Sequence, residues 1–131
     1  MADIKKLIKT GLSSDGQVLN IKAKYIREVG AKELAQCEEL STVRALDISQ
    51  NDIGDEGLKA ITESPVFSNL RTLNLKSNRI TDVGAEYLAN SSTLTSLRSI
   101  QLVVNDLTEE GERLLMNSTH LISLTSLKFQ V

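Results

Sequence analysis

A chain of 131 residues suits one domain with a modest core. Hydrophobic residues make up 40% of it but aromatics only 3%, so that core has to be assembled from many aliphatic side chains. The 15 Lys and Arg against 17 Asp and Glu leave a net charge of −2, which argues against a dedicated nucleic-acid or anionic-membrane surface.

At the N-terminus, Ile4, Leu7, Ile8 and Leu12 fall at helical spacing, with Lys5, Lys6 and Lys9 facing water and Gly11 ending the helix. Charges interrupt this segment, so it lacks the apolar run of roughly 7–15 residues of a secretory signal. No later stretch reaches the ~18 apolar residues of a membrane span. A helix of about two turns has too little apolar area to hold a membrane surface, so it reads as a polar-faced cap on the rest of the chain. Ser13-Ser14-Asp15-Gly16 then links the cap to a first strand.

From there the chain repeats itself. Leu19, Leu46, Leu73, Ile100 and Leu127 are spaced 27 residues apart, as are Ile21, Ile48, Leu75, Leu102 and Phe129 two residues on. The same interval relates Ile26, Ile53, Ile80 and Leu107, then Gly30, Gly57, Gly84 and Gly111, then Leu34, Ile61, Leu88 and Leu115. Leu40, Phe67, Leu94 and Leu121 form a sixth apolar column, in the same register without insertion. Leu46-Asp47-Ile48 and its equivalents alternate as a strand with one buried face. A helix comes after each turn, with Gly57 and Ile61, or Gly84 and Leu88, on one side. Thr81-Asp82 and Thr108-Glu109 supply a hydroxyl cap and then acids, which complement the helix N-terminus. The glycine column is expected to let each helix approach the sheet. One strand and one helix cannot bury their own apolar faces, whereas stacked units can.

Asn51, Asn78 and Asn105 form the remaining column. An amide has both a donor and an acceptor for the unpaired backbone of a turn and its neighbour, so these residues are expected to form a ladder. Leu70-x-x-Leu73-x-Leu75-x-x-Asn78-x-Ile80-x-x-x-Gly84-x-x-x-Leu88 resembles the leucine-rich repeat of the ribonuclease-inhibitor-like class, and Val43 to Ile61 and Leu97 to Leu115 read the same way. The resemblance implies an α/β leucine-rich repeat solenoid: a short right-handed β-α superhelix with a parallel sheet on its concave face and helices on its convex face. It covers nearly the whole chain as one domain, with a capping helix over 1–12, repeats over 16–42, 43–69, 70–96 and 97–123, and a partial repeat over 124–131. Lys24 stands where the first repeat should have its ladder Asn, and Gly16 where it should have its leading Leu.

Proteins with similar repeats include inhibitors, receptor sensing regions, activators of small GTPases and host-directed bacterial effectors. The resemblance therefore implies a non-catalytic module that binds a protein or peptide, with no cofactor and no metal. In such a fold the ligand meets the outward strand residues: here Asp47, Asn74, Gln101 and Lys128, then Lys76, Val103 and Val104, with Val131 completing a small apolar patch. Five strands at ~4.8 Å span roughly 20 Å, enough for a peptide or a small contact. Arg44, Arg71 and Arg98 repeat just ahead of the strands as a basic margin. That margin reads either as a phosphate or acidic-partner site or as solvated arginines whose stems cover apolar surface.

Catalytic readings fare worse. Cys37 is the only cysteine and His120 the only histidine, and the repeat places them several turns apart, beyond the reach a nucleophile and base need. Cys37 is expected to be buried behind the helix of Leu34, and one cysteine allows neither an intrachain disulfide nor a cysteine zinc cluster. Asp55, Glu56, Asp82, Glu109 and Glu110 read as dipole complements. Asn90-Ser91-Ser92 and Asn117-Ser118-Thr119 match the glycosylation sequon, a pattern short enough to arise by chance. A cytoplasmic location is expected, with a secreted effector as the alternative, and neither nucleic acid nor membrane is expected as a partner. Leu121, Leu124, Leu127 and Phe129 lie in an incomplete repeat whose edge strand is uncovered. The alternative to a binding module is therefore an assembly element that self-associates, or continues into further repeats, through this edge.

Overall fold

The computed structural model describes residues 2–130. Five three-residue strands, β1 (Val18–Asn20), β2 (Ala45–Asp47), β3 (Thr72–Asn74), β4 (Ser99–Gln101) and β5 (Ser126–Lys128), form one parallel sheet in chain order. Leu19, Leu46, Leu73, Ile100 and Leu127 are partnered one to the next across it, which is the 27-residue register. The strands begin and end one residue earlier than the alternation suggests. The ladder nevertheless runs on into the turns, with the amides of Ile21, Ile48, Leu75 and Leu102 donating to Asp47, Asn74, Gln101 and Lys128 carbonyls.

Four helices cross between strands: α2 (Arg27–Leu34), α3 (Gly54–Glu63), α4 (Asp82–Ala89) and α5 (Glu109–Met116). They pack side by side as the strands do, and the aliphatic columns fill the space between helices and sheet. Ile48 and Leu75 are fully buried and Leu102 is nearly so. A Cβ at Gly84 would meet the Asp55 carboxylate and Leu58 of the preceding unit, and one at Gly111 would meet Asp82. Gly84 and Gly111 thus set the approach of one helix to the previous helix, rather than to the sheet.

The chain starts with α1 (Ile4–Gly11), whose Asp3 accepts from the Lys6 amide at 3.2 Å. Ile4 and Ile8 are buried and Lys5, Lys6 and Lys9 exposed, so the helix covers the end of the stack with a polar back. Gly11 is its last helical residue. A Cβ there would lie 2.4 Å from the Asn20 carbonyl oxygen, so the residue serves close approach to β1 and not a left-handed stop.

Three polar ladders tie the units together. At the strand-to-helix turns, the Asn51 amide donates back to the Ile21 carbonyl at 2.9 Å, while its oxygen accepts from Lys24 and Ile26 amides. Asn78 and Asn105 repeat this toward Ile48 and Leu75. Each asparagine serves the unit before it. Among the described residues no equivalent turn precedes that of the first repeat, where Lys24 stands exposed.

The second ladder joins helix starts. Thr81 and Thr108 cap α4 and α5, as their sequence suggests. Both are also held by acids from the unit before: the Thr81 amide and hydroxyl donate to Asp55 at 2.8 and 2.6 Å, and those of Thr108 donate to Asp82. Asp55 and Asp82 are thus dipole complements of their own helices and acceptors for the next.

The third ladder lies at the helix ends. Ser64, Ser91 and Ser118 hydroxyls donate to the carbonyls of Ala35, Thr62 and Ala89, groups that a helix C-terminus leaves unpaired. Asn90 and Asn117, the first residues of the two sequons, are the C-caps of α4 and α5. No buried side-chain nitrogen or oxygen among the described residues lacks a hydrogen-bond partner.

The Thr108 hydroxyl, then its amide, hold the Asp82 carboxyl below its ordinary pKa of 3.8. A depressed folded-state value means that this stabilisation is complete above the unfolded value and disappears as pH falls through the folded one. Stability measured by urea unfolding should therefore fall more steeply on acidification below about pH 4 in the native sequence than in Asp82→Asn. Parallel pH profiles for the two proteins would show that the carboxylate has no such linkage.

Candidate functional site

The sheet face away from the helices carries the strand residues between the core positions. Asn20, Asp47, Asn74 and Gln101 succeed one another across it, and each uses a side-chain oxygen internally. They accept from the amides of Lys22, Ser49, Lys76 and Val103, two residues on, at 3.0–3.1 Å. Asp47 also accepts from the Ser49 hydroxyl at 2.6 Å. These amides leave the strands at the turn, and the side-chain oxygen satisfies them locally.

This turn chemistry fixes which way the amide groups point. With the oxygen of Asn20, Asn74 and Gln101 bound to backbone, the nitrogen is directed away from it. Those three nitrogens make no hydrogen bond among the described residues, and their residues line a shallow, mostly apolar groove of about 290 Å³ together with Val18, Ala45 and Thr72. The face therefore presents a row of oriented donors along that groove, with the Asp47 carboxylate among them. Lys76 is half-buried and Lys128 exposed, and neither takes part in an ion pair among the described residues.

The expected apolar patch is not assembled. Val103 is only 4% exposed, Val104 is 60% exposed with φ of 59°, and Val131 lies outside the described residues. Ser49, at the equivalent position two units earlier, is buried too. Val104 turns outward because its position is left-handed in this unit, as it is for Ala23, Gln50 and Ser77. A β-branched side chain is poorly suited to that conformation.

Arg44, Arg71 and Arg98 lie immediately ahead of β2, β3 and β4, with Arg44 and Arg98 exposed and Arg71 half-buried. The aromatic side chains that could anchor a partner lie elsewhere. Tyr25 precedes α2 and carries the Arg27 guanidinium over its ring at 5.0 Å. Tyr87, on α4, meets Lys59 at 5.6 Å and donates to Glu56 at 3.1 Å.

Cys37 falls at the serine-ladder position of the first repeat. It is half-buried rather than buried, and its thiol donates to the Glu33 carbonyl. Burial, then the charges of Glu39 and Glu33, push that thiol above its ordinary range, opposite to the shift that activates a nucleophile. His120 is exposed in the loop after α5, with α3 and α4 between it and the Cys37 turn. No helix among the described residues is long and apolar enough to cross a membrane.

Equal strand-helix units, one parallel sheet in chain order and an asparagine at successive turns define a leucine-rich repeat solenoid. The chain carries leucine-rich repeats: the family described as Leucine Rich repeat matches it at residues 39–61 and 68–89. Among solved structures it is similar to a tropomodulin C-terminal domain from a Caenorhabditis elegans structural genomics study. That match has a TM-score of 0.71 over 98% of this chain and 83% of the other, at 19% identity, and so shows the fold alone. No curated protein matches the sequence.

Proposed function

We propose that this chain is a non-catalytic protein-interaction module that holds a peptide or a small protein contact on its concave sheet face. The observation that carries this reading is the row of outward amide donors from Asn20, Asn74 and Gln101, oriented by their own turn bonds above an apolar groove. Preoriented donors lose little freedom on binding, and an extended peptide offers carbonyl acceptors to match them. Lys76 and Lys128 extend the same face. Leucine-rich repeats in general bind proteins, and the 27-residue unit supports placing this chain in the ribonuclease-inhibitor-like class. A cytoplasmic location is part of the same reading.

The test is the triple substitution Asn74→Ala/Lys76→Ala/Gln101→Ala, compared with the unaltered chain in a quantitative pull-down from its own cells. The expected result is a partner protein lost by the variant while its circular dichroism stays native. Undiminished capture of every specific partner would remove the sheet face from the interaction.

A second reading is assembly through β5. Leu127 and Phe129 are half-buried, whereas their column neighbours Ile100 and Leu102 are 1% and 2% exposed. Light scattering at increasing concentration tests it, and a monomer throughout removes self-pairing.

A further inference from the structure

Of the six arginines, three are engaged. Arg79 pairs with Asp52 at 3.2 Å, Arg113 with Glu110 at 2.8 Å, and Arg27 lies over Tyr25. The side chains of Arg44, Arg71 and Arg98 form no ion pair or hydrogen bond among the described residues. Yet these are the three that the fold brings together. The Arg71 amide donates to the Arg44 carbonyl at 2.7 Å, and the Arg98 amide to the Arg71 carbonyl at 2.8 Å, so they occupy one rung of adjacent strands. Strands are spaced at ~4.8 Å, close enough for like charges to repel. Arg44, with burial and Arg98 adding to it, holds the Arg71 guanidinium below its ordinary pKa. Uncharged Gln17 and Thr125 bound the row, and their backbones bond to Arg44 and Arg98. The Asp15 carboxyl is lowered mainly by the Ser13 hydroxyl and the Gln17 amide, with Arg44 a lesser cause.

We propose that Arg44, Arg71 and Arg98 form an acid-reading margin beside the concave groove, which binds a partner protein through a segment carrying neighbouring carboxylates. This rests on the proposal that the sheet face docks a protein. A guanidinium fork matches a carboxylate in plane and can bond it with two N–H groups, and a carboxylate between two arginines also relieves their repulsion. The charge pattern favours an acidic peptide over a nucleic acid. The basic stripe is three residues long on a chain of net charge −2. Single-stranded nucleic acid needs aromatic platforms for its bases, and the two tyrosines are engaged by Arg27, Lys59 and Glu56 away from the groove residues. The amide donors next to the margin suit peptide carbonyls.

Fluorescence anisotropy with a labelled Glu-Ala repeat peptide tests the proposal, with a Gln-Ala repeat peptide and single-stranded oligothymidylate as the other probes. The variant is Arg44→Gln/Arg71→Gln/Arg98→Gln. Lys5→Gln/Lys6→Gln/Lys9→Gln removes equal charge from the outer face of α1. The glutamate peptide should bind more tightly than the other probes, and the arginine variant should weaken it by about tenfold or more. The lysine variant should change it by less than about twofold at an ionic strength near 0.15 M. Equal losses in the two variants, no preference for glutamate, or tighter binding of oligothymidylate would each overturn the margin. A natural partner that is lost with Asn74→Ala/Gln101→Ala but kept by the arginine variant sinks the margin and leaves the groove standing; the reverse pattern sinks the groove.

Discussion

Replacing Asn78 by alanine is expected to lower the unfolding free energy by at least about 3 kcal/mol, since buried polar groups left unpaired cost roughly 1–3 kcal/mol each. The side chain is fully buried. Its nitrogen donates to the carbonyls of Ile48, Leu75 and Lys76 at 2.9, 3.2 and 3.3 Å, and its oxygen accepts from the amides of Asn51 and Ile53 at 3.1 and 3.3 Å. Truncation orphans backbone on both sides of one joint, where no solvent reaches. Asn78→Asp keeps the shape and removes the donor, so it should lose nearly as much. Asn105→Ala should lose less, because that residue is half-buried. Urea unfolding measures all three, and a loss below about 1 kcal/mol for Asn78→Ala would mean that water replaces the amide without penalty.

Leu75→Ala is the second large effect, at about 2–5 kcal/mol for a buried leucine in a packed core. The residue is fully buried just past β3, in the column between Ile48 and Leu102. A cavity there weakens the joints to the units on both sides, because each repeat is stabilised only by its neighbours. Total stability of a domain is on the order of 5–15 kcal/mol, so the variant is close to the edge of folding. Leu75→Val removes less volume and gives a graded second measurement. Urea midpoints that do not move in either variant would take Leu75 out of the continuous core.

The interval of 27 residues was sufficient to predict the sheet, its strand order and the aliphatic columns, because a stack of equal coils demands like side chains at each rung. Asn51, Asn78 and Asn105 were readable for the same reason, and the hydroxyl caps Thr81 and Thr108 were readable from local capping chemistry. The bonds from Thr81 to Asp55 and from Ser91 to Thr62 were not. Their partners are separated by 26 and 29 residues and touch only when neighbouring coils lie side by side. The same applies to Gly84 and Gly111, whose closest contact is with the helix before and not with the sheet.

The binding face divides along the same line. Which residues alternate outward from the strands is set by the period of two. Whether such a residue is available to a partner depends on its neighbours one coil away. Val103 looks exposed by register and is buried, while the oxygens of Asn74 and Gln101 look available and are consumed by their own turns, leaving only the nitrogens. Arg44, Arg71 and Arg98 were visible as a recurring residue type, but whether acids neutralise them is a matter of three-dimensional distance. Repetition along the chain dictates the rungs, because each coil must satisfy the same packing. Exposure, pairing and charge compensation arise between coils, so they took shape only with the assembled stack.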